Sequence, residues 1–204
     1  MTSPRRLGAD DAANRKTLLS AAQQLMIEEG YAAVTTRRVA ARAGLKPQLV
    51  HYYFESMDDL LLALVRRATA RSQDAFARAL ASEKPLRAIW ELSSDPDVTA
   101  LTAEMMALAN HRKAVRNELA EGARRLRQMQ VAALGELLDQ LGITNDVMRP
   151  DALMVLIASV SRVMVMEKSL GVSTGHENTL AMVEHYLAKS EDSPAGQPAA
   201  VPHP

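Results

Sequence analysis

Apolar residues recur at intervals of three and four along most of the chain, the period of an amphipathic helix. Leu18, Ala22, Leu25 and Met26 form the first stripe, which predicts a helix over Asn14 to Glu29 with Asn14 as N-cap and Gly30 as its end. Met1 to Ala13 holds Pro4 and Gly8, shows no apolar period and reads as a mobile arm, with Arg5 and Arg6 suited to a minor groove. Next come two short stripes. Val39, Ala40 and Ala43 share one face of a helix over Thr35 to Ala43, and Leu49, Val50 and Tyr53 one face of a helix over Lys46 to Tyr53. Gly44 supplies the left-handed cap between them and Leu45 plugs the angle. Lys46, Pro47, Gln48, His51 and Tyr52 are left facing outward. Two short helices joined by a Gly-containing turn make a helix-turn-helix, whose second helix enters a DNA major groove; a plain helical hairpin fits the same spacing.

Beyond the motif the pattern predicts six more helices. Ser56 to about Ala81 is long, with Ser56 as cap, Asp58 and Asp59 in the first turn, and a stripe from Leu60 to Leu80 that includes Phe76. Pro85 to Leu92 carries the single Trp, Trp90; Pro96 to about Asn110 carries Met105 and Met106; His111 to Leu141 is charged on one side and apolar on the other. After a loop to Arg149, Pro150 to Leu170 is apolar almost all round, which predicts cover on more than one side. Thr174 to Lys189 closes the series, and Ser190 to Pro204, rich in Pro, Ala, Ser and Gly, reads as a disordered tail. Surplus apolar surface on the last two helices predicts a homodimer through Pro150–Leu170 and Thr174–Lys189, built as a four-helix bundle; closure of a monomer core is the alternative.

Composition sharpens this picture. The chain has 204 residues, 48% hydrophobic but only 3% aromatic, and the abundant Ala, Leu, Arg, Glu and Met favour an all-α protein. It has no Cys, which excludes disulfides, thiolate metal sites and a cysteine nucleophile. No apolar signal segment opens it, and Ala152 to Met166, broken by Ser159, Ser161 and Arg162, is shorter than the roughly 20 residues of a membrane span. A soluble cytoplasmic protein is expected. Net charge is zero, with 24 basic and 24 acidic residues, but residues 1–56 hold 8 basic against 5 acidic. That local excess has the sign needed to attract phosphate.

The stretch GYAAVTTRRVAARAGLKPQLVHYYFESMDDLLLALV, Gly30 to Val65, resembles the N-terminal signature of the TetR family of bacterial transcriptional regulators. The matching features are the Gly-Tyr, the Thr-Thr, the Val-Ala, the Ala-Gly-Leu turn, the Tyr-Tyr-Phe and the acidic opening of the next helix. The resemblance implies a three-helix DNA-binding head (14–56) and a larger helical ligand-binding and dimerisation body (57–189). It implies DNA contacts from Thr36 and Arg37, and from Lys46, Pro47, Gln48, His51 and Tyr53; Tyr52 joins them as an outward-facing ring. Thr36 and Arg37 also lie in a first helical turn, where free N–H groups favour a phosphate. Gln48 can pair with adenine and Lys46 with guanine or phosphate. His51 stands where the family usually has Tyr, and Met57 where it often has a phosphate-binding Lys.

The resemblance further implies an inducer pocket among the middle helices. Its candidates are Trp90, Met105, Met106, His111, Met129, Met154 and Arg162, each of which also fits an ordinary core. Arg162 in an apolar helix requires a partner, Glu104, Glu118 or a ligand anion, unless the helix crosses the dimer seam there. The expected effector is a small apolar molecule, acidic or neutral, such as a fatty acyl or aromatic compound. Nothing points to an enzyme, a cofactor or a metal: there is no Gly-rich phosphate loop, HExxH or Gly-x-Ser-x-Gly, and no two of the five His are four apart. The expectation is a repressor that binds a palindromic operator as a homodimer and is released by an effector, with an activator or an effector-independent DNA-binding protein as alternatives.

Overall fold

The computed structural model describes residues 4–143 and 149–192, with side chains from Asp11 to Glu191. Among them are nine α-helices: α1 (Pro4–Glu29), α2 (Thr36–Ala43), α3 (Pro47–Tyr53), α4 (Met57–Leu80), α5 (Pro85–Ser93), α6 (Pro96–His111), α7 (Lys113–Gln140), α8 (Pro150–Ser169) and α9 (His176–Asp192). One 3-10 turn, Tyr31–Ala33, joins α1 to α2. None of the described helices is long and apolar enough to cross a membrane.

Local signals place most of these ends. Thr35 caps α2 by accepting the Arg38 N–H, Ser56 caps α4 by accepting the Asp59 N–H, and prolines open α3, α5 and α8. Two ends depart from the sequence expectation. The helix expected from Asn14 begins ten residues earlier, at Pro4, so Asn14 is interior and caps nothing. Proline suits a first helical position, and the polar stretch has an anchor: the Tyr53 hydroxyl donates to Asp11 Oδ1 at 2.8 Å. The last helix runs past Lys189 to Asp192 because Glu191 is held by Lys84 and Arg87. The rest of the expected tail, residues 193–204, lies outside the described residues, as do residues 1–3 of the expected arm and residues 144–148 of the expected loop.

The chain forms two compact units. The first comprises everything up to Ala70 together with Ala100–Gly122; the second comprises Arg71–Thr99 and everything from Ala123 onward. The chain crosses between them within α4, α6 and α7. In the first unit Leu18, Leu25 and Met26 of α1, Val39 of α2, Val50 of α3, Leu60 and Leu64 of α4, Met105 and Leu108 of α6 and Val115 of α7 share one core. Phe54 seals its edge, under the Arg15 guanidinium at 5.0 Å from the ring centre. The second unit has a smaller core, built on Phe76, Ile89, Leu134, Leu138 and Met154.

In the single chain, helix α8 is covered on one side only. Within one chain it buries only Met154 and Ser161, while Val155, Leu156, Val163 and Met166 are exposed, as are Leu180, Met182 and Tyr186 on α9. The apolar surplus is real, but it lies on the outside of the single chain.

Candidate nucleic-acid interface

The geometry of the two short helices follows from their joint. Gly44 adopts φ 66° and ψ 26°, its N–H reaches Ala41 O at 3.1 Å, and the Leu45 N–H reaches Ala40 O at 2.9 Å. This pair of bonds is a Schellman ending, and Leu45 packs back on the core that contains Ala40. A left-handed residue is needed there, and glycine takes that conformation without strain. Pro47 then opens α3 with Lys46 extended before it.

The exposed face of α3 carries Lys46, Pro47, Gln48, His51 and Tyr52. Val50 is buried beneath, and Leu49 and Tyr53 are half-buried. The Tyr52 ring meets Tyr53 edge-on at 4.8 Å and stays 68% exposed. Tyr53 is different from its neighbours because its hydroxyl is engaged with Asp11. Desolvation first, then the Asp11 carboxylate, holds that phenol above its usual pKa, so it remains a donor at neutral pH.

On α2, Arg38 pairs with Glu29 and Arg42 pairs with Glu28 at 2.7 Å, which among the described residues leaves Arg37 as the unpaired, exposed cation of that helix. Thr36 is half-buried, and its hydroxyl donates to the Met57 sulfur at 3.3 Å. Both border an open cleft of about 530 Å³ whose lining includes Tyr31, Thr35, Met57 and His111. The eight expected contact residues are therefore brought onto two adjoining elements; six present exposed side chains, and the hydroxyls of Thr36 and Tyr53 already have partners.

The residues considered for an effector divide between the units. Met105 is buried in the first core, Met106 is exposed, and the exposed His111 stacks on Tyr31 with ring centres 6.2 Å apart. In the second unit Met154 and Met129 join one apolar cluster and Trp90 is half-buried. Arg162 is exposed, so the argument that it needs a buried counter-charge fails. Glu104 and Glu118, the two carboxylates considered as its partners, are engaged elsewhere, with the Tyr31 N–H and with Arg66. Sequence reasoning overlooked Asp11 and the structural use of Tyr31 and Glu104. Their partners lie far along the chain, and no local spacing signals them. Among the described residues no group of three or more His, Asp or Glu is placed to hold a metal ion.

Known proteins give the same reading of the motif. Residues 18–64 match the family model described as "Bacterial regulatory proteins, tetR family". The HTH-type transcriptional regulator BetI of Rhizobium meliloti (strain 1021) is 31% identical over 132 residues, covering 60% of this chain and 65% of that protein, just under two thirds of its length. A putative transcriptional regulator from Rhodococcus sp. RHA1 superposes with a TM-score of 0.67 at 21% identity, covering 89% of this chain and 100% of that one. A putative transcriptional regulator from Saccharomonospora viridis, in complex with choline, gives 0.66 at 19% identity over 89% and 95%. A putative TetR-family regulator from Mesorhizobium loti gives 0.64 at 17% identity over 89% and 95%. These structures share the all-α fold. Over residues 18–64 the chain is similar to the tetR family of bacterial regulatory proteins.

Proposed function

We propose that this chain is a cytoplasmic, ligand-responsive transcriptional repressor that binds a palindromic operator as a homodimer. The observation that carries the reading is the face of α3. A helix set by a Schellman joint holds Lys46, Gln48, His51 and Tyr52 outward together, beside Arg37 at the start of α2. Gln48 offers the paired donor and acceptor that adenine matches, and Lys46 reaches guanine or phosphate. Arg37, in the first turn of α2, suits a phosphate.

Residues 14–56 read DNA in this proposal, and residues 57–189 take the effector and the second subunit. Exposed apolar residues on α8 and α9 support the homodimer, which sets two α3 helices about 34–36 Å apart, or modestly more, in successive major grooves. The effector acts on the body and reaches the head through α4, at a coupling free energy of about 1–3 kcal/mol. A small apolar molecule, such as an acyl or aromatic compound, is the effector in this reading. The choline bound by the Saccharomonospora viridis neighbour adds small organic cations to the titration.

The test begins with purified protein selecting fragments from sheared genomic DNA at physiological salt. A short inverted repeat is the expected recovery. On that repeat Gln48→Ala relaxes base preference at one position by about 1–3 kcal/mol, while Arg37→Ala weakens binding to all sequences and lowers the salt slope by about one. Gln48→Ala with unchanged affinity and preference overturns the placement of α3. Calorimetry with an acyl acid, an aromatic acid and choline then tests the effector. Recovery of specific DNA with no heat from any of them favours an effector-independent DNA-binding protein.

A further inference from the structure

The turn that leads from α1 into the helix-turn-helix is fastened by a helix from much later in the chain. Gly30 leaves α1 with φ 82° and ψ 165°, which turns the next N–H, that of Tyr31, away from the α1 carbonyls. The remaining bonds of the turn are internal: Ala33 N–H to Gly30 O, Val34 N–H to Tyr31 O and Thr35 N–H to Ala33 O. The Tyr31 N–H instead donates to Glu104 Oε2 of α6 at 2.7 Å, the short distance of a charge-assisted bond. The same carboxylate explains the residue before it. A Cβ on Gly30 would stand 3.3 Å from Glu104 Oε2, in addition to the strain of a positive φ.

Glu104 does not act alone on that face of α6. Leu108 and His111 follow at i+4 and i+7, so they share its side. His111 stacks on the Tyr31 ring, Leu108 lies in the core with Leu61 of α4, and the adjacent Arg112 pairs with Asp58 in the first turn of α4. One face of α6 thus holds both the turn before α2 and the start of the helix after α3.

We infer that Glu104 is a positioning residue for DNA binding: its carboxylate latches the Tyr31 N–H and so fixes where α2 begins and where Thr36 and Arg37 stand. This deepens the proposed function and rests on it for the DNA part. The latch also gives the second unit a route to the head through α6, since α6 crosses between the units. An effector that shifts α6 would be felt at the Tyr31 amide before it reaches α3.

The full chain is compared with Glu104→Ala, which removes the acceptor, and Glu104→Gln, whose amide oxygen keeps one. Amide exchange followed by NMR reads the latch directly. Glu104→Ala speeds exchange at Tyr31 by about tenfold or more while the α1 core amides keep their protection, and Glu104→Gln restores most of that loss. On the selected DNA fragment Glu104→Ala weakens binding by about tenfold and flattens the salt slope, and Glu104→Gln recovers both. Unchanged Tyr31 exchange in Glu104→Ala overturns the latch, as does a Gln variant that behaves like the Ala variant. Altered exchange with unaltered DNA binding overturns the positioning role. If the unmodified protein selects no DNA, the regulator reading fails, and Tyr31 exchange still decides the latch.

Discussion

At the scale of single residues, Met57 links the start of α4 to the first turn of α2. It stands at the first position of α4, where relatives of this kind often place a phosphate-binding lysine, and its sulfur accepts the Thr36 hydroxyl at 3.3 Å. A thioether is a weak acceptor, so the bond is readily exchanged. Met57→Lys adds a cation beside Arg37 and frees Thr36. The expected outcome is tighter binding to all DNA sequences, with the slope of log affinity against log salt steeper by about 0.9, the contribution of one added phosphate contact. Anisotropy titrations at several salt concentrations measure it, and an unchanged slope takes Met57 off the path of the backbone. This substitution could be conceived from sequence alone; the engagement of Thr36 could not. The exposed face of α3 was legible because a helical period is a local property. The partners of Thr36 and Tyr53 lie 21 and 42 residues away, and no spacing rule reaches them.

Between elements, close approach and charge decide stability. Gly122 of α7 is buried against Thr69 of α4, and a Cβ there would lie 2.7 Å from Thr69 Oγ1 and 3.2 Å from its methyl. In an open helix Gly→Ala stabilises by about 1 kcal/mol; here overpacking of a short branched side chain reverses the sign, and Gly122→Ala costs about 1–3 kcal/mol. Adding Thr69→Ala removes both offending atoms and leaves a Cβ at an ordinary 3.5 Å, so the double variant recovers most of the loss in urea unfolding. Full additivity of the two substitutions would mean that the helices do not meet at this point.

Charge ties α9 to α5. The Arg87 guanidinium forks onto Glu184 at 2.7 and 2.8 Å and reaches Glu191 at 2.7 Å, with Lys84 on the other Glu191 oxygen. Arg87 is the first cause that holds both carboxyls below their usual pKa. Groups depressed on folding stabilise above the unfolded value, about 4.3 for Glu, and lose that contribution as pH falls through the folded values. The unfolding midpoint of Arg87→Met should therefore lie below that of the unmodified chain at pH 7. The gap should close below about pH 4.3. A gap independent of pH would mean that Arg87 acts through packing alone. The same contacts explain what was illegible about helix ends. Boundaries marked by Thr35, Ser56, Gly44 and the prolines at α3, α5 and α8 were readable in the chain, whereas the first turns of α1 and the last turn of α9 rest on Asp11 and Glu191 meeting distant partners. The effector candidates were illegible for a related reason. A methionine stripe declares burial but not which core receives it, and Met105 and Met154 went to different ones.

For the whole molecule the deciding quantity is the apolar surface of α8 and α9. Val155, Leu156, Val163 and Met166 recur along one side of α8, and Leu156 is 58% exposed. Tyr186 and Leu180 add exposed apolar surface on α9. Water rarely faces a stripe this long in a protein that acts alone. A second copy of the same stripe is the natural cover in a two-fold dimer, and Arg162, beside it and exposed, would sit at the rim of such an interface. Leu156→Glu combined with Val163→Glu puts like charges into that surface while leaving Met154 and the core beneath intact. The expected result is a chain that sediments at half the mass of the unmodified protein and keeps its helical signal. Its heads retain weak, salt-sensitive DNA binding, but affinity for an inverted repeat falls by about a hundredfold or more, because the second half-site no longer engages within one molecule. Restoring a dimer by fusing an unrelated coiled coil to the monomeric variant recovers part of that loss only if the spacing of the heads is recovered too. Sedimentation of the unmodified chain as a monomer at micromolar concentration would remove the two-fold reading at its root, since one α3 helix reads one half-site and has no use for a palindrome.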